Sequence, residues 1–454
     1  MTHGAFYLAQ ALILGAILLL CSLAPAQAQG RKYGLFIGIN TYPYLSSKKQ
    51  LAGCENDARN LRQALLDLYG FSATTTTLLL NTDAKRERIL SEMGKYRDLA
   101  RRGDLFVMSY AGHGSLFPDD KTPDQDETQI IDATLAGFGE AGRYDSTLAP
   151  ADVNAPNSKA FRAWGNMILD DELYDIFAAM TAKGVTVVFV SDSCHSGSIA
   201  RGLARPRGLS GREVLEGLGY ANVRGIPAPA RSRSVSQRNF NGLFLALTGA
   251  RDQELSLDYD NPENGQPTGL MSYVLVKALR LRKTLGCPFT YQDFLDTVAP
   301  EVARRSQAKE NDQHPQIDSR YFTGPLGVPA FELPGPFSSI DETGPPIRVG
   351  GKALDENGQP VEKVSVGFFP VGMPVSAGNV TNGPNVGLWR TDAKGFFDSA
   401  PPRAALGPTS YLRPGCYQVK ALRAGYEPFY QVVKIPVLSN GQPFLLTFRL
   451  ERAK

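Results

Sequence analysis

Residues 185–197 read VTVVFVSDSCHSG, a β-branched and aromatic run from Val185 to Val190 that stops in small polar residues around Cys194. A short apolar run bounded by turn-forming residues reads as a strand buried on both faces, as in parallel sheets with helices above and below. A second run, Leu105 to Tyr110, ends the same way in Ala111-Gly112-His113-Gly114-Ser115. Sites of open α/β sheets lie beyond the carboxyl ends of their strands, so a thiol and an imidazole stand where chemistry is expected. A thiol becomes a nucleophile when a neighbouring base forms its thiolate, and imidazole is the side chain whose ordinary pKa suits that work near neutrality. Either residue alone reads more simply as structural, a buried Cys packing as a small hydrophobe. The two strand ends together point to nucleophilic catalysis.

Around these runs the chain from Lys32 to Tyr321 alternates apolar strands with helical periodicity. Tyr33 to Ile39, Thr74 to Leu80 and Leu243 to Thr248 read as strands. Ala58, Leu61, Leu65 and Leu68 share one helical face that Gly70 closes, and Lys85 to Arg101 is a charged helical stretch. Leu173, Ile176 and Phe177 mark another helix; Thr268 to Leu281 and Tyr291 to Arg304 read as amphipathic helices, and Phe117 to Gly165 as a polar insertion. The pattern predicts an α/β domain over residues 31–323, a mostly parallel sheet flanked by helices on both faces. Residues 324–346 hold six prolines and read as an extended linker. From Ile347 the texture changes: Val364, Val366 and Phe368 alternate, Asn357-Gly358 signals a turn, and Tyr417 to Leu422, Phe429 to Ile435 and Phe444 to Leu450 read as short strands. Residues 347–454 are thus expected to form a small all-β sandwich.

In their contexts these stretches resemble the caspase-like cysteine peptidases, in particular the metacaspase branch, over about residues 32–322. The matching segments are LFIGIN (35–40) with Tyr42, LAGCENDA (51–58), the His-Gly turn at His113, DDEL (170–173), DSCHSG (192–197) and GLMSYVLVKAL (269–279). The resemblance implies that Cys194 attacks the scissile carbonyl, His113 handles the proton, and the backbone amides of Gly114 and Cys194 stabilise the oxyanion of a thioester-forming reaction. It also implies that Asp57 and Asp192 line the first specificity pocket, for cleavage after Arg or Lys; the aspartate-directed caspase signature has Arg after its Cys, where this chain has His195. Asp57 has a plainer reading as a first-turn carboxylate favoured by the helix dipole.

The chain departs from the pattern in three places. Ala111 stands where metacaspases often carry Ser, which leaves Arg against Lys open. The insertion widens the His-to-Cys spacing. It opens on acids, Asp119, Asp120, Asp124, Asp126 and Glu127, and oxygen-rich clusters can bind calcium. Asp152, Asp170 and Asp171 resemble the metacaspase calcium ligands, yet the fourth position is Arg201, which cannot coordinate a cation. No cofactor is expected to be required, with calcium as an optional ligand; Asp170 reads equally as a helix N-cap. Residues 198–239 hold eight arginines, so an enzyme cutting after Arg has its nearest substrate there, and self-processing is expected; the plainer reading is a basic surface loop. His314 reads as structural.

The C-terminal region is similar to carboxypeptidase regulatory-like sandwiches through Gly351 to Asp355 with Asn357 to Val361, Thr391-Asp392 with Gly395-Phe396, and Leu412 to Gly415 with Tyr417. That implies a targeting or binding module whose ligand the residues do not name. Formal net charge is only +3, so nothing argues for a nucleic-acid partner; the expected partners are proteins or peptides with Arg or Lys at the cut, acted on by a monomer. The apolar run Ala11 to Leu23, Pro25 and Ala26-Gln27-Ala28 predicts a signal peptide over residues 1–28 and hence a periplasmic or secreted protein, the alternative being an N-terminal membrane anchor. Cys54, Cys287 and Cys416 fit neither a disulfide framework nor a zinc set; one bridge is allowed, its partners undetermined. Rival functions are an inactive caspase-like scaffold and an envelope-binding protein whose sandwich does the work.

Overall fold

The computed structural model describes residues 30–118, 128–130, 142–156, 165–193, 240–251, 254, 256–308, 311–334, 338–373, 386–398, 411–438 and 442–453. The expected leader, Cys194, the acids from Asp119 to Glu127 and residues 198–239 lie outside the described residues.

The chain runs β1 (Lys32–Gly38), α1 (Cys54–Leu68), β2 (Thr76–Leu80), α2 (Arg86–Leu99) and β3 (Leu105–Ala111). It continues through β4 (Gly114–Pro118), β5 (Thr128–Ile130), β6 (Gly142–Leu148), β7 (Ile168–Leu169), α3 (Asp170–Ala182), β8 (Thr186–Asp192) and β9 (Phe244–Thr248). Then come β10 (Asp258–Asp260), β11 (Pro267–Gly269), α4 (Leu270–Thr284), α5 (Ala299–Gln307) and β12 (Gln316–Asp318). A six-stranded sheet forms in the order β12-β9-β8-β3-β1-β2, parallel except at the edge strand β12. Because successive side chains of a strand point to opposite faces, each central strand feeds two cores. Leu35, Ile37, Phe106, Met108, Val187 and Phe189 pack under α2 and α3, while Phe36, Leu105, Val107, Val188 and Val190 pack under α1, α4 and α5. This is a sandwich of helices about a mostly parallel sheet, as the residue pattern predicts, and the arrangement that the caspase-like resemblance implies.

Three expectations need correction. The polar insertion carries the end of β4 with β5 and β6, which together with β7 make a separate antiparallel sheet; β5 and β7 are two or three residues long, too short to show a period, and β6 (GRYDSTL) is too polar to read as an apolar run. The helix expected from Thr268 begins at Leu270, after β11 has paired with β10. The helix expected over Tyr291 to Arg304 is broken into one turn at Tyr291–Asp293, a π-helical turn at Phe294–Val298, and α5. Pro300 accounts for the break, since it has no N–H to offer the ladder and its ring crowds the preceding turn. The prolines of the linker do not keep it off the core either: Ala330 and Phe331 are fully buried, and Ala330 N–H donates to the Phe289 carbonyl at 2.7 Å.

Beyond it lie β13 (Val349–Asp355), β14 (Ser365–Pro370), β15 (Gly387–Arg390), β16 (Phe396–Asp398), β17 (Gly415–Leu422), β18 (Phe429–Ile435) and β19 (Phe444–Leu450). They form a three-stranded sheet, β16-β13-β19, and a four-stranded one, β15-β14-β17-β18. Phe368, Trp389, Phe397, Tyr417 and Phe448 share a single core. Cys416 of β17 is disulfide-bonded to Cys287, just past α4, closing 129 residues of chain with a Cα–Cα distance of 5.8 Å. Val371 and Val432 pack around the bridge, and Lys434 Nζ donates to the Gly286 carbonyl beside it at 3.4 Å. A bridge across so long a loop removes much freedom from the unfolded chain, so reduction or Cys416→Ser is expected to cost about 2–5 kcal/mol, read as a lower melting temperature in dithiothreitol.

Asp296, in the π-helical turn, accepts from Gln292 Nε2 at 3.0 Å and feels the charges of Asp293, of Lys420 in β17 and of Arg282. Burial raises its pKa from 3.8 to about 6, and one carboxylate oxygen has no partner among the described residues. A carboxyl with a folded-state pKa above its unfolded one binds its proton more tightly when folded, so its contribution is full below pH 3.8 and lost as pH climbs through 6. Asp296→Asn is therefore expected to raise the melting temperature by a few degrees at pH 8 and to give little change near pH 4, which a melt series over pH would read.

Candidate active site

β3 and β8 are adjacent and parallel, and their register pairs Ala111 with Asp192. His113 follows Ala111 by two residues, and Cys194 follows Asp192 by two. Parallel neighbours lie about 4.8 Å apart, so both strand ends deliver the chain to one place. The step after β3 needs Gly112: a Cβ there would stand 2.6 Å from the Tyr110 hydroxyl and 2.7 Å from that of Tyr42.

Those hydroxyls fix the backbone of His113. Its N–H donates to Tyr42 Oη at 2.8 Å, and its carbonyl accepts from Tyr110 Oη at 2.6 Å. Tyr42 is wholly buried and its pKa is pushed well up, first by burial and then by Tyr110 and Cys54, so it stays a neutral phenol. The imidazole packs on the Tyr42 ring at 4.8 Å, and its Nε2 lies 2.7 Å from the Lys49 carbonyl oxygen. A carbonyl only accepts, so Nε2 carries the proton and Nδ1 is the basic nitrogen. A peptide carbonyl thus orients the ring where other enzymes use a carboxylate. Sequence reasoning misses this because a main-chain donor or acceptor leaves no mark on residue type.

The two acids meet at the start of α4, although they come from α1 and β8. Asp57 is buried; its Oδ1 accepts from the Thr268 hydroxyl and from Gly269 N–H at 2.8 Å. Asp192 is also buried, and its Oδ2 accepts from Ser272 N–H at 3.1 Å and Ser272 Oγ at 2.6 Å. Its Oδ1 accepts from Ser256 Oγ. Gly269 supplies no capping side chain, so the acids take up two of the backbone donors that a helix start leaves over, where the helix dipole favours negative charge. Asp57 does lie in the first turn of its own helix, but what it serves is the first turn of α4.

The calcium expectation fares differently. Among the described residues no three His, Cys, Asp or Glu side chains gather as metal ligands. Asp152 accepts from Arg86 N–H at 2.9 Å and Asn166 Nδ2 at 3.1 Å, which caps α2. Asp170 is the first residue of α3 rather than its N-cap, which is Leu169, and it accepts from Ser146 N–H at 3.1 Å and Asp171 N–H at 3.0 Å. His314 pairs through Nδ1 with Glu254 at 2.7 Å, away from His113 in sequence and role. Gly114 opens β4, opposite Leu148.

A family model described as Caspase domain matches residues 31–326. The chain is 26% identical over 332 residues to Metacaspase-1 of Saccharomyces cerevisiae, an alignment taking in 65% of this chain and 68% of that one. It is 31% identical over 173 residues to Metacaspase-6 of Arabidopsis thaliana, covering 37% of this chain and 39% of the relative. Among solved structures it is similar to Caspase-1 from Spodoptera frugiperda, at 17% identity and a TM-score of 0.37 over 65% of this chain and 88% of that one.

Proposed function

Because this chain belongs to the caspase-domain family, we propose that it is an endopeptidase cutting after arginine or lysine, with Cys194 as nucleophile and His113 as its base. Membership makes it a cysteine peptidase, a hydrolase with protein substrates. The observation that carries the finer reading is the register pairing Ala111 with Asp192, residues that precede His113 and Cys194 by two positions each in sequence. Nδ1 of His113 takes the thiol proton, the thiolate adds to the scissile carbonyl, and the N–H groups of Gly114 and Cys194 receive the oxyanion. The imidazolium then returns its proton to the leaving amine, and water hydrolyses the thioester with His113 again as base.

Asp57 and Asp192 supply the charge that selects the substrate. Both are buried, and paired buried carboxylates favour a cationic side chain that a neutral one replaces poorly. Calcium is given no step, since Asp152 is engaged as a cap and Arg201 stands at the fourth position. The leader-like residues 1–28 and the Cys287–Cys416 bridge support an exported protein, because disulfides persist in oxidising compartments. The enzyme acts as a monomer, processes itself within residues 198–239, and uses its C-terminal sandwich as a binding module.

The test is hydrolysis of short reporters ending in Arg, Lys or Asp by residues 30–454, with calcium or with chelator, beside Cys194→Ala. Cleavage after Arg or Lys only, equal within about twofold in chelator and lost with the thiol, is the expected result. Cleavage after Asp would move the pocket elsewhere, and no cleavage at all would favour the scaffold. Pure Cys194→Ala chain should stay intact through residues 198–239; cutting there would end the self-processing proposal.

A further inference from the structure

Behind Asp192 lies a second layer of polar groups that no motif announces. Gln313, in the loop between α5 and β12, is fully buried. Its Nε2 donates to the Gly249 carbonyl at 2.8 Å and to Ser256 Oγ at 3.3 Å, and its own N–H donates to Ser306 Oγ at 3.1 Å. Its Oε1 is buried with no partner among the described residues. Burying an amide with one end unanswered is costly, so the other end is held for a reason. Ser256 is buried as well and donates to Asp192 Oδ1. Gly249 makes the space: a Cβ there would lie 2.8 Å from Asp192 Oδ1 and 3.0 Å from Ser256 Oγ.

A hydroxyl has one proton and two lone pairs. With the Gln313 amide donating to Ser256 Oγ, the proton of that hydroxyl is left to point at Asp192. Ser272 approaches the other carboxylate oxygen, so Asp192 is held at both oxygens, by Ser256 from the segment between β9 and β10 and by Ser272 from the first turn of α4.

Given the basic specificity proposed above, on which this depends, we propose that Gln313 and Ser256 are positioning residues that hold the Asp192 carboxylate in the plane in which it meets the substrate's cation. They act on binding of the side chain before the cut, so their loss is felt in KM. A residue that only packed the core would lower melting temperature or active fraction and leave KM alone.

The experiment measures kcat and KM for Arg reporters in the full chain carrying Gln313→Leu, Ser256→Ala or both. Each single change should raise KM about tenfold with kcat within about twofold, the scale of one hydrogen bond to a charged group. Because Gln313 acts through Ser256, the double variant should match Ser256→Ala within about twofold. Unchanged KM in either single variant, or effects that multiply, would overturn the proposal. Ser256→Ala deletes one oxygen and decides the matter by itself if Gln313→Leu yields no folded protein. A wild-type chain that takes neither Arg nor Lys would sink the proposed specificity and this inference with it, whereas a wild-type chain that cuts beside variants of unaltered KM removes the inference alone.

Discussion

His113→Ala lowers kcat for an arginine reporter by about 10³–10⁴-fold with KM little changed, at the upper end of what general acid–base catalysis supplies. On the proposed mechanism the ring has two tasks, taking a proton from the thiol and giving one to the leaving amine, while the other described imidazole, His314, is hydrogen-bonded to Glu254. A free thiol is only a few per cent thiolate at pH 7, so some attack survives, but the amine then departs unprotonated. Burial of the ring on Tyr42 means the alanine also leaves a cavity, and a lower melting temperature is expected beside the loss of rate. The two effects separate on titration of the thiol: the folded variant keeps one reactive Cys194 per chain by alkylation, at a rate that follows pH as an ordinary thiol does. A variant that keeps within about tenfold of wild-type kcat would mean that another group is the base.

Asp192→Asn lowers kcat/KM after Arg or Lys by about 10²–10³-fold, and here charge and structure pull together. Truncating one partner of a hydrogen-bonded charge pair costs about 2–5 kcal/mol, much of it from the cation left unpaired. Asparagine keeps one acceptor oxygen but turns an NH₂ toward either Ser256 or the Ser272 pair, both of which point donors at this position. A buried donor facing a donor costs about 1–3 kcal/mol of stability, less than the loss in binding. Assay at a temperature well below the variant's melting point isolates the larger effect. Citrulline, the uncharged counterpart of arginine, should be handled alike by both proteins; equal losses on Arg and citrulline would show that Asp192 works on something other than charge.

The strands that carry His113 and Cys194 are legible because Leu105 to Tyr110 and Val185 to Val190 are buried on both sides and leave an unbroken apolar run. The linker and the late helices are not. Ala330 and Phe331 enter the core from a proline-rich stretch, and Pro300 breaks a helix whose apolar spacing continues through it. Within the site, the acids stand out as residue types, while their partners lie far away in sequence: 64 residues from Asp192 to Ser256 and 212 from Asp57 to Gly269. Serine and glutamine are too common to be singled out without that fold. Pairing Cys287 with Cys416 needs the docking of two units, which neither unit's sequence encodes by itself.

The carboxylates proposed to recognise substrate also cap α4, a helix of 15 residues, or about 22 Å, that supplies Leu270, Met271, Leu275 and Leu279 to the core on one face of the sheet. For anyone wishing to retarget the enzyme, selectivity and folding therefore share the same atoms. Exchanging Asp57 or Asp192 for a residue suited to an acidic or neutral substrate strips the helix of its terminal acceptors in the same stroke. A redesigned pocket would first need a new cap, such as Asp or Ser at position 269, so that the old carboxylates become dispensable.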